Sequence, residues 1–61
     1  MRFLIVDDDE SIILFLRTLL SAYAECLTVG SGPEAILAFE AALEENRPFK
    51  AVFMDILLPG I

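Results

Sequence analysis

Four large apolar side chains, Phe3-Leu4-Ile5-Val6, run without interruption into four acids, Asp7-Asp8-Asp9-Glu10. A run so short and so uniformly apolar predicts a strand buried on both faces, as at the centre of a parallel sheet. The acids then fall at the strand's C-terminal end, the edge where open α/β sheets bind ligands. A second run, Ala51-Val52-Phe53-Met54, also leads into an acid, Asp55. Two buried strands that each deliver a carboxylate to one sheet edge make a candidate site.

Between these strands the pattern alternates. The first strand spans about Arg2 to Val6, and Asp8 or Asp9 can cap the helix that follows, with Glu10 at the positive end of its dipole. That helix should run from Glu10 to Tyr23, with Ile12, Leu16, Leu19, Leu20 and Tyr23 as the core-facing stripe. Ile13, Leu14 and Phe15 lie outside the stripe and imply contacts on a second side. A short second strand, Glu25 to Val29, mixes Thr28 with apolar neighbours and reads as an edge. Gly30-Ser31-Gly32-Pro33 is a turn, and Ser31 with Glu34 has capping-box spacing. The second helix runs to about Glu45, with Ala35, Ile36, Phe39 and Leu43 as its expected buried stripe, and Pro48 disfavours helix at Arg47. The third strand is Ala51 to Asp55, after which Leu57-Leu58-Pro59-Gly60 turns away.

The expectation is therefore β-α-β-α-β, a partial flavodoxin-like α/β fold. Single-helix connections make the strands parallel, with right-handed crossovers. A short, edge-like second strand with doubly buried first and third strands gives the order 2-1-3, with one helix on each face. Chain direction across the sheet reverses between strands one and three, and Asp7, Asp8 and Asp55 flank that switch point.

Three carboxylates there cannot simply coexist. A pair about 4 Å apart repels by roughly 4 kcal/mol at an effective dielectric near 20. The cluster must take up a proton or hold a cation. Few, hard, water-accessible oxygen ligands suit Mg²⁺, which often shares its shell with phosphate oxygens. A carboxylate beside it can act as a nucleophile toward phosphorus, which leaves Asp55 or Asp7 as the acceptor. The turn from Gly30 to Gly32 lacks the spacing and Lys of a phosphate loop.

Composition narrows the partners. The net charge of −6 argues against nucleic acid and anionic membranes and favours cations or basic patches. A lone cysteine, Cys26, permits no internal disulfide and points to a reducing, cytoplasmic setting. No apolar run approaches the length of a membrane span. Yet the chain is 57% hydrophobic, with a mean hydropathy of +0.71. A chain of 61 residues buries only about 60% of its unfolded surface. So apolar a composition in so small a domain implies surface that something else covers.

Three ordered stretches carry a resemblance. Leu4-Ile5-Val6-Asp7-Asp8-Asp9, the Gly32-x-Glu34-Ala35 opening of the second helix, and Val52-Phe53-Met54-Asp55-Ile56-Leu57-Leu58-Pro59-Gly60 resemble the receiver domain of bacterial two-component response regulators. The resemblance implies a phosphoprotein of phosphorelay signal transduction rather than an enzyme. Asp55 would accept a phosphoryl group from a sensor histidine kinase or phosphotransfer protein. Asp7 and Asp8 would hold Mg²⁺, Asp8 the more directly, with Asp55 and the backbone carbonyl of Leu57 completing the protein ligands. Asp9 has no such role, and Leu58 stands where receivers usually carry Met. Residues 1–61 resemble the family's N-terminal half. Its later Ser or Thr, aromatic and Lys, which hold and report the phosphoryl group, have no counterpart here. Without them, stable phosphorylation is not expected.

Two further expectations follow. The third strand, central in that family, becomes an apolar edge, so two copies should pair through it or swap elements. Asp7-x-Asp9 also resembles the start of a haloacid-dehalogenase-like phosphatase, with Asp7 as nucleophile. Glu10-Ser11 does not supply that family's continuation, and Asp55-x-x-x-Pro59 is left unexplained by it. A self-associating half-domain with idle acids is the remaining alternative.

Overall fold

The computed structural model describes residues 1–54. Three strands and two helices alternate along them: β1 (Arg2–Val6), α1 (Glu10–Leu20), β2 (Glu25–Val29), α2 (Gly32–Glu44) and β3 (Ala51–Met54). The strands form one parallel sheet in the order β2-β1-β3, as the alternating pattern predicts. Phe3 pairs with Cys26 on one side and Ala51 on the other, and Val6 with Val29 and Met54. The Asp55 end of the third strand and the 57–60 turn lie outside the described residues. No helix among the described residues is long and apolar enough to cross a membrane.

Among the described residues β1 is the strand with neighbours on both sides, and its apolar run lies at the centre of the core. Leu4, Ile5 and Val6 are fully buried. Successive side chains leave a strand on opposite faces. Leu4 and Val6 pack with Ala35 of α2, joined at the rim by Val29, Ala38 and Phe49. Ile5 projects to the opposite face, which α1 covers. On that face Phe3 meets Phe53 edge to face, ring centroids 5.4 Å apart. Such pairs contribute about 0.5–1.5 kcal/mol beyond their buried area.

Both helices present faces different from those the periodicity suggests. In α2 the buried residues are Gly32, Ala35 and Ala42, with Ala38 half-buried between them. Ile36, Phe39 and Leu43, expected in the core with Ala35, are exposed. A stripe of small residues lets the helix axis approach the sheet closely, and the bulky side chains are left on the flank. In α1 the half-covered residues are Ile13, Leu16 and Leu20, again at helical spacing, while Ile12, Leu19 and Tyr23 are exposed. No residue of α1 is fully buried. The helix also stops at Leu20 instead of Tyr23. The Ser21 hydroxyl donates to the Arg17 carbonyl, and the N–H groups of Tyr23 and Ala24 both donate to Leu20, closing the last turn.

α2 ends on a left-handed residue, Asn46 at φ 57°. Its N–H donates to the Leu43 carbonyl (3.1 Å) and the Arg47 N–H to that of Ala42 (2.8 Å). This paired bonding is the Schellman arrangement, which satisfies the last carbonyls of a helix. The chain then enters β3, anchored by the Lys50 N–H to the Arg2 carbonyl at 2.7 Å.

The observed α2 face gives a direct test. Ala42→Leu should overpack the buried face of α2 and cost about 1–3 kcal/mol. Leu43→Ala, on the exposed flank, should stay within about 0.5 kcal/mol of the parent. Urea unfolding at one fixed protein concentration separates the two, and the reverse ranking would contradict the packing described.

Candidate functional site

The acids after β1 fall into distinct roles as the strand becomes a helix. Asp7 continues the sheet: its N–H donates to the Val29 carbonyl at 3.2 Å. It is only 7% exposed, a low value for a carboxylate. One carboxylate oxygen, Oδ1, accepts the Asp9 N–H at 2.9 Å. Asp9 is the N-cap of α1, with extended backbone, and its Oδ1 accepts the Ser11 N–H at 2.8 Å. Of the two candidates for the cap, Asp9 fills the role. Asp8 lies between them, exposed, and Glu10 opens the helix where its charge suits the dipole.

These residues stand at the C-terminal edge of the sheet, between two open clefts. One cleft lies over the β1/β3 switch point, with Asp7, Asp8 and Asp9 on one side and Phe53 and Met54 on the other. Ile12 and Leu16 of α1 form its apolar wall. The other lies on the β2 side, where Asp7, Asp8, Glu10 and Glu34 share a lining with Arg17. Arg17 plays no part in the expected site, although it falls seven residues after Glu10. That two-turn spacing returns a helical residue to the same face, the signal by which it could be found.

The Gly30–Gly32 turn is occupied with starting α2. Ser31 Oγ accepts the Glu34 N–H at 3.3 Å, and Glu34 Oε2 accepts the Gly30 N–H at 3.2 Å. Half of the capping box expected from Ser31 and Glu34 forms: the Ser31 hydroxyl caps Glu34, while the glutamate bonds the N–H of Gly30, one residue before the N-cap.

Charge is distributed unevenly along the strands. At the N-terminal edge, Arg2 Nε and an Arg47 guanidinium nitrogen approach Glu25 Oε2 at 3.6 and 3.0 Å. Arg2 also donates to the Arg47 carbonyl at 2.7 Å and lies over the Phe49 ring, 4.7 Å from its centroid. Lys50 joins this edge. The opposite edge carries Asp7, Asp8, Asp9, Glu10 and Glu34.

Of the expected site residues, Asp7 and Asp8 are brought together at the switch point. Asp55 and the Leu57 carbonyl lie outside the described residues. Among the described residues no group of three acids, cysteines or histidines is placed to hold a metal ion. The donor chemistry of Asp7 and Asp8 nonetheless fits a hard cation: both are carboxylates, adjacent in sequence, beside an open cleft. No protein-family model matches the chain, and no curated protein or solved structure matches it.

The division of labour among the acids is measurable. Asp9→Ala removes a helix cap and should lower the unfolding free energy by about 1 kcal/mol. Asp8→Ala removes no side-chain hydrogen bond among the described residues and should change it by under about 0.5 kcal/mol. Denaturant titrations in metal-free buffer compare them, and a larger loss for Asp8→Ala would overturn the assignment.

Proposed function

We propose that this chain is a phosphoacceptor module of the receiver type, in which Asp55 takes a phosphoryl group beside a Mg²⁺ ion held with Asp7 and Asp8. One observation carries it: the β1·β3 ladder pairs Val6 with Met54. The next residue of each strand is an acid, Asp7 and Asp55, so one register step is expected to bring two carboxylates to the same edge. Mg²⁺ would offset their repulsion and neutralise charge on the incoming phosphoryl oxygens.

Each acid then has a role. Asp7, buried and steadied by the Asp9 N–H, offers an oriented carboxylate. Asp8, exposed, supplies the more accessible oxygen, and the Leu57 carbonyl completes the protein donors. A carboxylate oxygen of Asp55 attacks phosphorus, an O–P bond forms, and the P–N bond to the donor's phosphohistidine breaks. The departing imidazole nitrogen keeps the bonding electron pair. The partner is a histidine-phosphorylated kinase or phosphotransfer protein, within a cytoplasmic signalling pathway. Asp9's engagement as a helix cap weighs against Asp7-x-Asp9 acting as a phosphatase pair.

Incubation with a small acyl phosphate and Mg²⁺, trapping with hydroxylamine and peptide mass spectrometry test the assignment. A short-lived adduct should convert to a hydroxamate at residue 55, absent from Asp55→Asn and without Mg²⁺. Trapping at Asp7 instead would contradict it.

A further inference from the structure

The composition of β3 does little to fix where the strand lies along β1. All four of its residues, Ala51-Val52-Phe53-Met54, are apolar. In a strand of alternating character, sliding by one residue exchanges apolar and polar side chains between the faces, and that exchange specifies register. Here a slip exchanges one apolar side chain for another. Even the Phe3–Phe53 contact would be replaced by Phe3 against Val52 or Met54. The observed ladder nonetheless has one register, from Phe3 with Ala51 to Val6 with Met54.

The segment that leads into β3 is gripped from outside the apolar run, and Arg2 makes the grip. Arg2 precedes the first pair of the ladder and shares a face of β1 with Leu4 and Val6. Its side chain is only 17% exposed, whereas those of Glu25 and Arg47 are largely open to water. Nη1 donates to the Arg47 carbonyl at 2.7 Å, and the guanidinium lies 4.7 Å from the centroid of the Phe49 ring. The same ring packs against the core formed by Leu4, Val6 and Ala35. The Arg2 carbonyl accepts the Lys50 N–H at 2.7 Å. One residue thus engages positions 47, 49 and 50, immediately ahead of Ala51. Arg47 is itself fixed to the end of α2 by its N–H bond to the Ala42 carbonyl.

We propose that Arg2 is a positioning residue that sets the register of β3 on β1 from the N-terminal edge of the sheet. A slip of one residue moves the strand by about 3.3 Å. That displacement would carry the Arg47 carbonyl out of hydrogen-bonding range and move Phe49 from beneath the guanidinium. A planar guanidinium stacks on a ring and donates from its edge at the same time, which a Lys ammonium does not. The ion pair with Glu25 is the lesser part, because exposed pairs contribute little. The functional consequence rests on the phosphoacceptor reading: the register step after Val6 and Met54 is the one expected to bring Asp55 beside Asp7.

Interstrand amide and Hα nuclear Overhauser contacts in the isotope-labelled chain read the register without any phosphodonor. Arg2→Ala should lose the native β1·β3 contacts or shift them by a residue, while the β1·β2 contacts from Phe3–Cys26 to Val6–Val29 remain. Arg2→Lys should behave as Arg2→Ala, and Glu25→Gln as wild type. Hydroxamate trapping at residue 55 should fall by on the order of 100-fold in Arg2→Ala. Native β1·β3 contacts in Arg2→Ala, undiminished trapping in that variant, or equal loss of both ladders in Arg2→Ala and Arg2→Lys would overturn the proposal. Absence of trapping in wild type would remove the phosphoacceptor reading, and the register comparison would still decide the role of Arg2.

Discussion

Everything in this small fold hangs on β1. Its three residues Leu4, Ile5 and Val6 are nearly or wholly removed from water, and the strand bonds to neighbours on both sides. Burying a Leu, Ile or Val side chain stabilises by roughly 1.5–3 kcal/mol, so this short run is a leading contributor to the core. The same strand fixes the position of Asp7. Because the backbone N–H of Asp7 still bonds to Val29, the carboxylate is carried to the edge by the ladder itself.

That dependence explains which parts of the structure were legible in the residues. Strand order and direction follow from uniform apolar runs separated by single helices, and they appear as expected. The faces of the helices do not. Periodicity weights side chains by hydrophobicity, which favoured Ile36, Phe39 and Leu43 over the alanines beside them. In the structure, close approach to the sheet is what the contact requires, and Gly32, Ala35, Ala38 and Ala42 permit it. In α1, an apolar surface nearly all round left several stripes equivalent, and Ile13 faces inward where Ile12 was expected. Such a helix carries too little polar contrast to fix its own rotation.

The candidate site divides in the same way. The run of four acids marks a sheet edge, and the burial of Asp7 follows from its place in the ladder. Which acid caps the helix could not be chosen from spacing alone, since Asp8 and Asp9 are both good caps. Backbone geometry decides for Asp9, and that choice leaves Asp8 exposed. Arg17 went unnoticed because its position matters only once α1 is docked against the acidic edge. The excess of apolar residues has a counterpart, among the described residues, in the exposed Ile36, Phe39 and Leu43 of α2 and Val52 and Met54 of β3.

We propose that Asp7 and Asp8 form part of a cation site that Asp9 does not share. Titration of the ¹⁵N-labelled chain with Mg²⁺, followed through backbone amide resonances, tests it most directly. Saturable shifts should centre on Asp7, Asp8 and Asp55 and disappear in Asp8→Asn, while an Asp9→Ser variant that keeps the cap should retain them. Shifts that spread evenly over all exposed acids, or that vanish in Asp9→Ser and persist in Asp8→Asn, would contradict the account.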